Sequence, residues 1–164
     1  MTAPTTGVQL PAAKDVRDML TGLVGKAVNV SPGAPVTPTP EKPVAVAVYV
    51  DPQMGVNALC LMDLGASAYT GGALALLPPG GCQDAVEEDG ELTAMQLEAL
   101  HEVVNVLSAL FNTQGAPHSK LHKLYAPGEE LPGDLAGMLA AFNRVDIAIE
   151  VPTYGKGAIS FVVP

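Results

Sequence analysis

The residues best spaced for shared chemistry lie between Glu98 and Ala109, in the run Glu98-Ala-Leu-His-Glu102-Val-Val-Asn105-Val-Leu-Ser-Ala109. At about 100° per residue, Glu98, Glu102, Asn105 and Ala109 fall on one side of a helix, within roughly 60° of one another. Leu100, Val103, Val104, Leu107, Leu110 and Phe111 fall on the other side, which must be buried. Glu102 and Asn105 are i, i+3 neighbours, so their side chains emerge together. An Asn amide offers a donor and an acceptor, so it can orient a water without acting as a base. A Glu offers a fixed charge for a partner's Lys. Together they can position a nucleophilic water in a site that a partner completes. Ala109, one turn beyond Asn105, leaves room for another molecule to come close. His101 either tunes this site or lies at its edge. The plain alternative is a solvated helix surface with no chemistry.

Rival constellations are weaker. His118 and His122 are four apart, but the segment after Pro117 reads as a strand, with Lys120 between them, and no HExxH occurs. Asp84, Glu87, Glu88, Asp89 and Glu91 lack the Gly-centred alternation of an EF-hand loop and read as a solvated acidic loop ahead of a helix. Gly71-Gly72 is not followed by the Lys-Ser or Lys-Thr of a phosphate loop. No GxSxG is present, and Cys60 and Cys82 read as small buried hydrophobes in a reducing compartment.

The elements that must position these residues follow from periodicity. The helix carrying the stretch is predicted from Thr93 to about Asn112, opened by a Thr93/Gln96 capping box. Upstream, Val16, Met19, Leu20, Leu23 and Val24 predict a helix that begins near Pro11 and ends near Gly25. Ala27–Val30 reads as a short strand. Five prolines between Ser31 and Pro43 satisfy PxxP spacing for a proline-reading domain; the plainer reading is a stiff extended connection. Val44–Val50 and Asn57–Met62 predict a hairpin, and the small-residue run after Asp63 a helix. Ser119–Tyr125 reads as a strand, Leu135–Phe142 as a short helix, and Val145–Val151 and Gly157–Val163 as two closing strands.

The chain has 164 residues, enough for one domain, with residues 1–10 expected to be a frayed N-terminus and 11–164 the folded unit. It is 48% apolar but only 4% aromatic, with no Trp. Seventeen acidic against eight basic residues give a net charge of −9, which disfavours nucleic acid as a partner. No signal-like start and no apolar run of membrane-spanning length is seen, so a cytoplasmic protein with no membrane partner is expected.

The Glu98–Ala109 stretch resembles the signature helix of the CheC/CheX/FliY family, phosphatases that act on the phosphorylated response regulator CheY. That pattern is an Asp or Ser, a Glu four residues on, an Asn three after that, and a Pro about twenty-three residues further. Here Glu98 replaces the Asp or Ser, Ala109 stands where CheX-like helices usually have Gly, and Pro127 falls one residue short, the expected place being Gly128. The order of elements agrees from about Pro11 to Val163. A single ExxN, with none in the Lys14–Val24 helix, is most like CheX. The resemblance implies an α/β (α+β) domain of CheC-like type, with a mixed or antiparallel sheet faced by helices. It implies a phosphatase for the aspartyl phosphate of a CheY-type regulator, in chemotaxis or related two-component signalling. Asn105 would align the water and Glu102 would pair with the regulator's Lys, with Glu98, His101 and Ala109 as docking positions. Mg²⁺ would come with the regulator, so no cofactor or metal site of its own is expected. It further implies a homodimer formed by sheet extension along Val145–Val151. The alternatives are a non-catalytic interaction or scaffold module and a structural homodimer.

Overall fold

A computed structural model describes residues 7–113 and 115–164. Six strands form one antiparallel sheet in the order β1-β5-β6-β3-β2-β4, with β1 Asn29–Pro32, β2 Val44–Val50, β3 Val56–Asp63, β4 Lys120–Tyr125, β5 Asn143–Val151 and β6 Gly155–Val163. The helices are α1 Ala13–Val24, α2 Leu64–Leu74, α3 Pro79–Asp84, α4 Ala94–Leu107 and α5 Gly133–Ala141. The fold is therefore the expected α/β domain, and its sheet is antiparallel throughout.

Helices cover both faces of the sheet. On one face Ala45, Ala47, Tyr49, Cys60 and Met62 meet the buried sides of α1, α2 and α4. On the other, Val44, Val46, Val48, Leu59 and Leu61 lie under Leu135 of α5 and under Val36. All of β2 is buried, which is why its sequence is apolar at every position instead of alternating. Val36 belongs to the Pro-rich connection, which joins β1 to β2 without helix or strand over residues 33–43 and makes a hydrogen-bonded turn between Thr39 and Lys42. A polar clamp fixes it there. Val36 donates its N–H to Ser160 Oγ at 3.0 Å, and the Val36 carbonyl accepts from Arg144 Nη2 at 2.9 Å. Arg144 Nε and Ser160 Oγ both donate to Asp146 Oδ1, at 2.9 and 2.6 Å.

Helix α2 is buried from Leu64 to Ala73. Its Gly71-Gly72 pair, unfavourable by propensity, is explained by close approach. A Cβ on Gly71 would stand 3.0 Å from the Leu100 nitrogen of α4, and one on Gly72 would collide with Cys82 Sγ.

Several expectations are corrected. Val145–Val151 is not an open edge: β1 pairs with Ile147–Glu150, so the sheet's edges are β1 and β4, and extension along that span is blocked. The first strand begins at Asn29, not Ala27. The acidic stretch is not a plain loop, because residues Ala85–Asp89 form a helical turn that continues α3. His118 precedes β4 and does not share a strand face with His122. Residues 1–6 of the expected frayed terminus lie outside the described residues, whereas Val8 is buried in the core.

Candidate functional site

Helix α4 is set in place at its start, middle and end. Thr93 and Gln96 form the predicted capping box: Thr93 Oγ1 accepts from the Gln96 N–H at 3.2 Å, and Gln96 Oε1 accepts from the Thr93 N–H at 2.9 Å. Buried Leu100, Val103, Val104 and Leu107 then pack toward the sheet and α2. At Asn105 the helix tightens. The Ser108 N–H bonds to the Asn105 carbonyl, and Ser108 Oγ donates to the same oxygen at 2.7 Å. The Val104 carbonyl accepts from the buried Tyr49 hydroxyl at 2.6 Å. Burial pushes the Tyr49 phenol well above its usual range, with the neighbouring Cys60 thiol adding to the shift, so this hydroxyl stays a donor. Phe111, in the tight turn Ser108–Phe111, packs against Tyr49 and Phe161 with ring centroids 5.1 and 6.0 Å away.

The opposite side of α4 faces outward. Glu98, His101, Glu102, Asn105 and Ala109 are all exposed, and the four that share a stripe by spacing emerge on one face. Asn105 sits at the tightened turn and Glu102 one turn before it. Such a surface can present a carboxylate and an amide side by side to a docked molecule. Among the described residues, no group of three or more His, Cys, Asp and Glu side chains could hold a metal ion.

Two flanks of the stripe were not legible from spacing. Toward α1, Asp15, Asp18 and Met19 line a groove with Ala109, Leu110 and Thr113. Lys14 donates to Asp18 at 3.1 Å and lowers its carboxyl pKa. Toward β4, Leu124, Ala126 and Glu129 line a groove with Leu97, Glu98 and His101. Sequence periodicity assigns a face to each helix but does not say which helix or strand becomes its neighbour, so neither flank carried a signal.

The displaced proline has a local cause. Ala126-Pro127-Gly128-Glu129 is a tight turn in which the Glu129 N–H bonds to the Ala126 carbonyl at 2.9 Å, with Gly128 at φ +87°. Proline is locked near φ −65° and cannot occupy that position, whereas the preceding one suits it. Glu129 Oε1 closes the turn by accepting from the Ala126 N–H at 2.9 Å.

Both cysteines are buried, as expected, and burial raises the Cys60 and Cys82 thiol pKa values. No helix among the described residues is long and apolar enough to cross a membrane.

No protein-family model and no curated protein matches the sequence. Solved structures do. The FliM–SpeE complex from H. pylori matches with a TM-score of 0.64 at 10% identity, over 93% of this chain and 81% of that one. Thermotoga maritima FliY matches with a TM-score of 0.59 at 15% identity, over 93% and 84%. The CheX–CheY–BeF3–Mg²⁺ complex from Borrelia burgdorferi matches with a TM-score of 0.50 at 8% identity, over 89% and 90%. The chain thus has the fold that CheC-type proteins share with the FliM middle domain.

Proposed function

We propose that this chain is a CheX-like phosphatase that hydrolyses the aspartyl phosphate of a CheY-type response regulator. The observation that carries the reading is the exposure of Glu102 and Asn105, one helical turn apart, on the outward face of α4. The fold supports it, because one solved structure of this fold is a CheX bound to CheY with BeF3 and Mg²⁺. In this reading Glu102 pairs with a Lys of the regulator and fixes the register of docking. Asn105 then holds a water in line with the phosphorus. The water oxygen forms the new P–O bond as the bond to the Asp carboxylate breaks, and both water protons leave with the phosphate. The regulator brings its own Mg²⁺, which neutralises charge on the phosphoryl oxygens. A pair that works by alignment needs rigidity more than a tuned pKa, and the capping box and the Tyr49–Val104 bond supply it.

A second reading rests on the FliM likeness: a non-catalytic module that binds a flagellar or signalling partner through the same scaffold. The lifetime of aspartyl phosphate on CheY-type regulators from the source genome, with and without the protein, separates the two. A phosphatase shortens the lifetime of one regulator. Asn105→Ala and Glu102→Ala each remove that effect, by about 100-fold for the loss of water alignment. Binding to a regulator with every lifetime unchanged establishes the module instead.

A further inference from the structure

The groove beside α4 extends the proposed docking face by one turn. Its floor is apolar, formed by Leu97 of α4 with Leu124 and Ala126 on the β4 side, and it encloses about 450 Å³. Its rim is acidic. Glu98 stands on the α4 wall with His101 beside it, and Glu129 stands on the opposite wall. The turn's backbone bond and Lys123, 3.6 Å from Glu129 Oε2, hold the Glu129 carboxylate in place. Lys123 itself lies over the Tyr125 ring, 4.5 Å from its centroid. Glu98 is also the residue one turn before Glu102, so the groove adjoins the Glu102–Asn105 face.

An apolar trough with Glu98 on one wall and Glu129, already paired with Lys123, on the other suits a long aliphatic stem that ends in a cation. We infer that the groove seats a Lys or Arg side chain of the docked response regulator, a second cationic contact beside the one at Glu102. The stem lies on Leu97, Leu124 and Ala126, and the head bridges Glu98 and Glu129. The net charge of −9 favours such a partner surface over an acidic one. This rests on the proposed function for the identity of the partner.

The test measures the Kd of beryllofluoride-loaded CheY-type regulators from the source genome for the wild-type protein and for the double variant Glu98→Gln/Glu129→Gln. The Gln at 129 keeps an acceptor for the Ala126 N–H, so the turn is retained. The double variant is expected to bind roughly fivefold more weakly at low salt, from two exposed ion pairs, with the gap closing as salt is raised. One Lys or Arg of the regulator, changed to Ala, is expected to produce the same loss and to show no further loss against the double variant. An unchanged Kd, while Asn105→Ala still abolishes dephosphorylation, overturns the groove and leaves the phosphatase standing. Additive losses for every surface Lys and Arg overturn it as well. If no regulator binds and no lifetime changes, both readings fall.

Discussion

Helices α2 and α4 pack against each other on one face of the sheet, yet they meet solvent in opposite ways. Helix α2 is buried from Leu64 to Ala73, with Ala, Gly, Ser and Thr allowing backbones to approach on several sides. Helix α4 buries Leu100, Val103, Val104 and Leu107 and turns Glu98, Glu102 and Asn105 outward. The first has no surface left to offer a partner. The second can change its outer residues without disturbing its inner ones. A buried helix packed against a presenting helix can fix the backbone of the second while leaving the identity of its outer side chains open. The fold itself is the one this chain shares, at identities of 8–15% to it, with the FliM, FliY and CheX structures.

Substitutions can break this contrast or sharpen it. The largest effect is expected for Leu100→Ala, at the buried contact between the two helices, which should lower unfolding free energy by about 2–5 kcal/mol in a urea titration. Gly71→Val comes next. Its Cβ meets the α4 backbone at 3.0 Å, and overpacking there should cost about 1–3 kcal/mol. Equal tolerance of Val at positions 71 and 109 would mean that the scaffold helix is not confined as described. Thr93→Ala removes one half of the capping box and should cost about 1 kcal/mol, read as a lower melting temperature. The smallest effect belongs to Glu102→Ala and Asn105→Ala. Both should fold within about 0.5 kcal/mol of wild type, although the proposed function makes them the two most damaging changes to activity.

Much of α4 was legible because its signals are local. The capping box lies within four residues, and the 3.6-residue period of Leu100, Val103, Val104 and Leu107 names the buried side without reference to anything else. The rest depends on contacts distant in sequence. The Pro-rich connection reads as extended, but nothing near Val36 announces that Ser160 and Arg144 will hold it across the sheet. Val145–Val151 reads equally well as an edge or an interior strand, since β1, which covers it, is short and mostly exposed. The Gly71-Gly72 pair looks like a weak point in a helix until Leu100 and Cys82 are found against it. Of the candidate site, the stripe was readable and its flanks were not, because α1 and the Ala126–Glu129 turn reach it only through the tertiary fold.

The sheet order has a consequence for biosynthesis. Strand β3 pairs with β2 at once, through a short hairpin, but its other neighbour is β6, whose Val162 lies opposite Leu59. While the ribosome is still making the residues between Asp63 and Gly155, one edge of β3 has no partner. The nascent chain is therefore most prone to sticking to its copies between the emergence of β3 and that of β6. Chaperone capture in that interval, or faster passage through it, should raise the soluble yield more than any change made on the outer face of α4.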